Sequence, residues 1–263
     1  MTGFLASVRS AREAALAVAR GADIIDAKEP ASGALGAVDP ATLRAIVDEV
    51  AGRRAVSATI GDLPLAPDAV RRAVEATRSC GADIVKIGLF AGELEATLAA
   101  LAPLARRGVR LVAVAFADRA PDLPPLIAAC AECGFYGVML DTAEKQGGRL
   151  TAHLPPADLA GFVQDARRHG LVTGLAGSLL VDDVPVLAPL GPDYLGFRSA
   201  LTASGRAGEL DGDAVGAVRR AIDAAAQSGR PARSSATAIA GAMSAAVPAR
   251  AGSAVSTISS KDR

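Results

Sequence analysis

The sequence predicts a single (β/α)8 TIM barrel, and three observations support this fold class. Short apolar runs alternate with helix-like segments along most of the 263 residues, and such alternation indicates parallel βαβ units. Most of these runs have continuous rather than alternating apolar residues, as expected for strands that are buried on both faces. Eight units fit into about 228 residues, close to the usual size of this barrel. The rival architecture, an open doubly wound sheet, usually has about five or six strands.

The predicted strands are the eight apolar runs themselves. They span Phe4–Val8, Asp23–Lys28, Ala55–Ile60, Asp83–Gly88, Val109–Phe116, Tyr136–Asp141, Leu171–Ala176 and Asp193–Arg198. Two of them share a frame, G-A-D-I-I-D-A-K from Gly21 and G-A-D-I-V-K from Gly81. Internal repetition of a strand unit indicates a fold built from repeats.

Capping signals predict where the first helices begin. Ser10 precedes a run of Ala and Val, and Glu13 follows three residues later, which is the pattern of a capping box; Gly21 ends the segment. The second and third helices are predicted to start behind Asp39-Pro40 and Pro67-Asp68, because proline is tolerated in a first helical turn.

Composition narrows the class of protein. The formal net charge is zero and arginine pairs are spread evenly, so we expect no nucleic-acid partner. No apolar run reaches the roughly 20 residues of a membrane span and no signal peptide is apparent, which predicts a cytoplasmic protein away from membranes. Cys80, Cys130 and Cys133, with His153 and His169, show no metal-ligand spacing. We expect no metal, no cofactor and a homo-oligomer.

The last part of the chain differs from the rest. From about Ser228 onward the sequence is rich in Ser, Ala, Gly, Thr and Pro and has few large apolar residues. Such a segment does not bury enough apolar surface to offset the entropy of ordering. We therefore expect a catalytic barrel domain over residues 1–228 and a disordered tail over residues 229–263.

Lysine is rare in this chain and its positions are informative. Only four of the 28 basic residues are lysines, and Lys28, Lys86 and Lys145 lie at or just past predicted strand ends. Arginine stays protonated in proteins and lysine does not always do so. The surviving lysines therefore mark positions where an amine that can lose its proton is required.

Aligning the strand units brings five charged residues together. Asp26 aligns with Lys86, and Lys28 aligns with Asp141 and Arg198. Residues two apart on a strand share a face, and even-numbered strands of such a barrel contribute to common interior layers. We expect these side chains at the carboxyl-end mouth of the barrel, where barrels of this class hold their active sites.

This cluster suits amine chemistry. Desolvation and neighbouring cations lower the pKa of an amine, and a free amine attacks a carbonyl to form a Schiff base. Asp26, Asp141 and Glu29 supply counter-charge and proton transfer. The alternative is structural ion pairing, Lys28 with Asp26 or Asp141 and Lys86 with another carboxylate. We disfavour it because so arginine-rich a chain would be expected to use arginine there.

Two glycine-containing segments predict a phosphate site. They are G-L-A-G-S-L after the seventh strand and G-F-R-S-A after the eighth, where barrel loops often bind phosphate through backbone N–H groups. The candidate phosphate-binding residues are Gly177, Ser178, Arg198 and Ser199. The long E-P-A-S-G-A-L-G-A segment after Lys28 is a candidate lid over the mouth.

Taken as a set, the motifs resemble a known family. They are V-R-S at Val8, D-A-K-E-P-A-S-G-A-L-G-A at Asp26, S-A-T-I-G-D at Ser57, V-K-I-G at Val85, D-T-A-E-K at Asp141 and the two glycine segments. Over residues 4–226 the chain is similar to the (5-formylfuran-3-yl)methyl phosphate synthase family. The D-x-K-E-P element with its glycine tail is its most specific part.

The resemblance implies a lyase that condenses two molecules of glyceraldehyde 3-phosphate into (5-formylfuran-3-yl)methyl phosphate, a precursor of methanofuran-type carriers. It implies the Schiff-base lysine at Lys28 and the other catalytic positions at Lys86, Asp141 and Lys145. Two other functions share parts of the pattern. A class I aldolase would use the same lysine without losing phosphate, and a non-catalytic barrel would bind the triose phosphate unchanged.

Overall fold

The computed structural model describes residues 1–144 and 147–228. Within them, eight parallel strands close into a barrel in sequential order. They are β1 Gly3–Val8, β2 Ile24–Ala27, β3 Ala55–Thr59, β4 Ile84–Gly88, β5 Arg110–Phe116, β6 Gly137–Asp141, β7 Val172–Leu175 and β8 Tyr194–Phe197. Every strand begins and ends within one residue of its predicted bounds, so the barrel prediction is confirmed.

Helices follow the strands on the outside. They are α1 Ala11–Ala19, α2 Pro40–Val50, α3 Pro67–Ser79, α4 Leu94–Arg106, α5 Leu123–Glu132, α6 Leu150–His153, α7 Pro156–Arg168, α8 Val184–Leu187 and α9 Gly212–Ser228. The predicted cap is present, because the Ser10 side chain accepts a hydrogen bond from the Glu13 N–H at 3.3 Å. The predicted tail at 229–263 lies outside the described residues.

The repeated G-A-D frame is a structural unit. Gly21 and Gly81 have φ angles of +86° and +98°, a left-handed conformation that glycine adopts without strain. The aspartate two residues later then accepts a hydrogen bond from the preceding strand: Asp23 from the Phe4 N–H at 2.8 Å, and Asp83 from the Val56 N–H at 2.9 Å. The frame therefore turns the chain from helix to strand and ties each even strand to its odd neighbour.

The core has an outer and an inner part. Apolar side chains between the strands and the helices form the larger cluster, while a smaller one fills the barrel interior and includes Leu5, Ile84, Val112, Met139 and Tyr194. The strand register places Ser7, Asp26 and Ser57 on one level. The barrel interior thus combines an apolar filling with a polar layer, and the polar layer contains the candidate site.

Candidate active site

The deepest part of the site is a buried ion pair between β2 and β4. Lys86 Nζ lies 2.6 Å from Asp26 Oδ1, and the two side chains are 2% and 0% exposed. Asp26 also accepts hydrogen bonds from Ser57 Oγ at 2.6 Å and Ser7 Oγ at 2.9 Å. The strand register produces this arrangement, because Ser7 and Ser57 flank Asp26 on the neighbouring strands. The carboxylate therefore has a donor for each oxygen and is held in one position.

A second ion pair lies at the ends of β2 and β6. Lys28 Nζ is 3.4 Å from Asp141 Oδ2, and both side chains are buried. The Thr142 N–H donates to Asp141 Oδ1 at 2.7 Å and orients the carboxylate. Lys28 and Asp26 are two residues apart on one strand and therefore share a face. The structure thus brings both lysines and both aspartates to the barrel interior, as the strand alignment predicts.

These four residues and Arg198 line one cavity, here named the mouth cavity, together with Arg206. Gly177, Ser178 and Ser199 also contribute to its wall. The fifth predicted catalytic residue, Lys145, lies outside the described residues. The pairing of Lys28 with Asp141 and of Lys86 with a second carboxylate also matches the structural ion-pair interpretation. That interpretation does not explain why both pairs face a cavity.

The turn after β7 presents unpaired backbone donors to this cavity. Gly177 and Ser178 have φ angles of +113° and +51°, and the second value is uncommon for a residue with a side chain. Within the described residues, the N–H groups of Gly177, Ser178, Leu179 and Ser199 have no acceptor. Consecutive backbone N–H groups in such a turn form a concavity that binds anions. The turn is therefore suited to a phosphate group.

Arg198 faces the cavity as predicted, but its guanidinium is already occupied. It donates to Glu13 Oε2 at 2.6 Å, Glu13 Oε1 at 3.3 Å, the Ser7 carbonyl at 3.1 Å, the Arg206 carbonyl at 2.9 Å and the Gly208 carbonyl. Five acceptors match the five N–H groups of an arginine. These hydrogen bonds hold the β8–α9 loop against α1, and the role of Arg198 in phosphate binding stays a prediction.

The loop after Lys28, residues 28–39, packs against the barrel interior through Ala34 and Leu35. The Glu29 N–H donates to the Gly36 carbonyl at 2.8 Å, so the segment forms a compact ring. Asp62 accepts hydrogen bonds from the N–H groups of Ala34 and Leu35, both at 2.7 Å. A side chain at Gly36 would meet the Glu29 carbonyl oxygen at 2.3 Å, so only glycine fits there. The loop predicted as a lid is thus anchored from the β3 side.

Three residues of the site were missed by sequence reasoning. Glu13 was recognised only as a capping partner, and Asp62 only as part of a motif. Arg206 lies in the β8–α9 loop, in a segment without repeat or strand register, so no sequence signal distinguished it from the other arginines.

Three further features were considered: metal ligands, cysteines and membrane-spanning helices. Among residues 1–144 and 147–228, no group of three or more His, Cys, Asp or Glu side chains is placed to hold a metal ion. All three cysteines are free, and burial raises the pKa of the Cys130 thiol to about 12. In the same part of the chain, no helix combines the length and hydropathy needed to cross a membrane.

Fold and site together define a TIM-barrel protein whose mouth combines lysine–carboxylate pairs with an anion-binding turn. A family model described as 4-HFC-P synthase matches residues 4–219. The chain belongs to this family of synthases.

Named relatives agree with the family assignment. A protein of Methylorubrum extorquens named "Putative (5-formylfuran-3-yl)methyl phosphate synthase" is 46% identical over 214 residues, covering 80% of this chain and 87% of that protein. The (5-formylfuran-3-yl)methyl phosphate synthase of Methanopyrus kandleri is 39% identical over 206 residues, covering 73% of this chain and 86% of its own length. The predicted family is therefore confirmed.

Solved structures show the same fold in distant proteins. Phosphoribosyl anthranilate isomerase from Thermus thermophilus superposes with a TM-score of 0.62 at 16% identity, over 85% of this chain and 99% of that chain. The 3-hexulose-6-phosphate synthase of Salmonella typhimurium gives a TM-score of 0.60 at 19% identity, over 84% of this chain and 100% of that chain. At these identities the likeness concerns the fold alone.

Proposed function

We propose that this chain condenses two molecules of glyceraldehyde 3-phosphate into (5-formylfuran-3-yl)methyl phosphate, releasing one phosphate and two waters. The observation that carries the proposal is the placement of Lys28, paired with Asp141, in a cavity that also contains unpaired backbone donors for phosphate. The names of the relatives support the product, and the site supports chemistry on a phosphorylated aldehyde.

The first step uses the Lys28–Asp141 ion pair at the ends of β2 and β6, here named the mouth pair. Asp141 lies 3.4 Å from Lys28 Nζ, within reach to take a proton from the ammonium group and leave a free amine. The amine adds to the C1 aldehyde of one triose phosphate, and loss of water gives an imine. The protonated imine withdraws electrons from C1 and acidifies the proton on C2. Removal of that proton expels phosphate from C3, which becomes an electrophilic carbon conjugated to the imine.

The carbon skeleton of the product dictates the next bond. The formyl carbon, the ring carbon that bears it and the ring CH between the two substituted carbons come from the first triose. The phosphomethyl carbon, the ring carbon that bears it and the ring CH next to the ring oxygen come from the second. The new bond therefore joins C3 of the first triose to C2 of the second, whose enediol supplies the electron pair. The C2 oxygen of the first triose then closes the ring on the C1 aldehyde of the second. Loss of two waters and hydrolysis of the imine give the aromatic aldehyde and regenerate Lys28.

The buried Lys86–Asp26 ion pair between β2 and β4, here named the deep pair, supplies a second acid–base couple. Lys86 and Asp26 lie 2.6 Å apart in the same cavity, so a proton can pass between them with little movement. We assign them to the enolisation and dehydration steps. A substrate phosphate accepts hydrogen bonds from the backbone N–H groups of Gly177, Ser178 and Ser199. We also propose that the protein acts in the cytoplasm.

The test is product formation from a single substrate. Purified protein incubated with glyceraldehyde 3-phosphate alone is expected to release one inorganic phosphate per furan aldehyde, detected by its ultraviolet absorbance and by mass. A class I aldolase would form an aldol adduct without phosphate release. A non-catalytic barrel would leave the triose phosphate unchanged. Either result would contradict the proposal.

A further inference from the structure

Arg206 connects two loops across the barrel mouth. It lies in the β8–α9 loop, yet its guanidinium donates to three carbonyls of the loop after Lys28: Pro30 at 3.1 Å, Gly33 at 3.0 Å and Ala34 at 3.1 Å. Asp62 holds the same loop from the opposite side, through the Ala34 and Leu35 N–H groups. Arg206 therefore ties the loop after Lys28 to the part of the barrel that follows β8.

The charge of Arg206 is not matched by an ion pair. Among the described residues, four cations line the mouth cavity, and three of them pair with a carboxylate: Lys28 with Asp141, Lys86 with Asp26 and Arg198 with Glu13. Arg206 makes no salt bridge within 4.0 Å in the part of the chain that the structure describes. Its partners are neutral carbonyls.

Burial of this guanidinium has a cost that a bound anion would offset. Burial lowers the pKa of Arg206 below its ordinary value, and the more distant charges of Asp141 and Asp62 act against that shift. Arginine nevertheless stays protonated in proteins. A half-buried cation held by carbonyls alone leaves the cavity with positive charge and favours an anionic ligand.

Arg206 also retains donors for such a ligand. Three of its five N–H groups are used by the loop carbonyls, and within residues 1–144 and 147–228 the other two have no acceptor. Its main chain is fixed in turn, because Arg198 Nε donates to the Arg206 carbonyl at 2.9 Å. Arg198, whose five N–H groups are all occupied, thus positions Arg206, which still has two N–H groups for a ligand.

We propose that Arg206 is the cation that binds a phosphate monoester group of the substrate, with Arg198 as its positioning residue. Binding would link the phosphate, Arg206 and the loop after Lys28, and so hold the triose phosphate beside the amine. This inference rests on the proposed function for the identity of the substrate. It deepens that proposal, because two triose phosphates bring two phosphate groups and the backbone turn at Gly177 and Ser178 supplies no full charge.

The experiment measures phosphate binding without turnover. Glycerol 3-phosphate, an unreactive phosphate monoester, is titrated into the full-length chain by calorimetry. The main variant is Arg206→Gln, which keeps an amide N–H for the loop carbonyls and removes the charge. Arg206→Ala removes both. Arg12→Ala is the matched control, because the Arg12 side chain is 86% exposed and pairs with Glu209 outside the mouth cavity.

The two roles of Arg206 predict different results. If Arg206 binds phosphate, Arg206→Gln and Arg206→Ala weaken glycerol 3-phosphate binding by about 10- to 100-fold, the usual worth of a charge-assisted contact. Arg12→Ala then binds like the wild type. If Arg206 only latches the loop, Arg206→Gln retains wild-type affinity, and hydrogen exchange at residues 29–36 rises in Arg206→Ala alone. That result overturns the inference.

Failure of the inference is separable from failure of the proposed function. If the wild type forms no furan and Arg206→Gln loses affinity for glycerol 3-phosphate, the phosphate site is supported and the proposed reaction is refuted. A wild-type chain that forms the furan, with affinity unchanged in Arg206→Gln, would refute only the role of Arg206.

Discussion

The two lysine–carboxylate pairs of the barrel differ in their position along the barrel and in the distance between their charged atoms. Lys86 and Asp26 are 2.6 Å apart, and two serine hydroxyls complete the shell of the carboxylate. Lys28 and Asp141 are 3.4 Å apart at the carboxyl ends of β2 and β6. A short pair in the barrel interior resists rearrangement, whereas a longer pair at the strand ends holds its amine closer to an incoming substrate. This difference is the reason why the proposed mechanism uses Lys28 as the nucleophile and the Lys86–Asp26 pair for proton transfer.

Removing the nucleophile is the strongest way to test this comparison. Lys28→Ala is expected to lower kcat by about 10⁴-fold or more, because groups that act covalently are not replaced by binding alone. Saturating substrate should not rescue turnover, as steady-state kinetics will show. Lys28→Arg is the matched variant, since it keeps the positive charge beside Asp141 and cannot form an imine. Substantial turnover in Lys28→Arg would remove the covalent role from the mouth pair.

Breaking the deep pair should affect stability as well as turnover. Lys86→Met leaves the Asp26 charge without its cation inside the barrel, and we expect the free energy of unfolding to fall by about 3–5 kcal/mol. Urea denaturation measures this loss. Adding Asp26→Asn removes the unpaired charge, so the double variant should recover most of the stability and none of the activity. An active double variant would show that the deep pair is only structural.

Arg198 and Arg206 differ in the same way, because Arg198 pairs with a buried carboxylate and Arg206 binds carbonyls at the barrel mouth. Arg198→Ala leaves buried Glu13 with Arg9 and the Leu210 N–H as its remaining partners among the described residues. We expect a destabilisation of about 3 kcal/mol in a urea titration. Arg206→Gln should leave the stability nearly unchanged, because its partners are carbonyls at the mouth. The reverse order of stabilities would mean that Arg206, not Arg198, organises the β8–α9 loop.

The smallest effect is expected where neither pair is touched. Truncation after residue 228 should leave kcat and the Tm nearly unchanged, because the composition of residues 229–263 predicts a segment that buries little apolar surface. Thermal unfolding and the furan assay on both lengths check this expectation. A large fall in either quantity would show that the tail packs on the barrel or joins subunits.

Strand periodicity explains what the sequence could predict. Lys28, Asp26 and Lys86 lie on or beside strands, where alternation of side chains decides the face, so their convergence follows from alignment alone. Arg198 was placed on the correct face by the same reasoning. Its pairing with Glu13, 185 residues away in the chain, depends on how α1 packs against the β8–α9 loop, and no local pattern encodes that contact. Arg206 was missed because loop residues have no such register.

Borohydride trapping tests the central claim most directly. The chain is incubated with glyceraldehyde 3-phosphate, reduced with borohydride and digested, and the peptides are mapped by mass spectrometry. The account predicts a triose-derived mass on Lys28, absent from Lys28→Arg and absent when substrate is omitted. An adduct on Lys86 or Lys145, with Lys28 unmodified, would contradict the assignment of the nucleophile to the mouth pair.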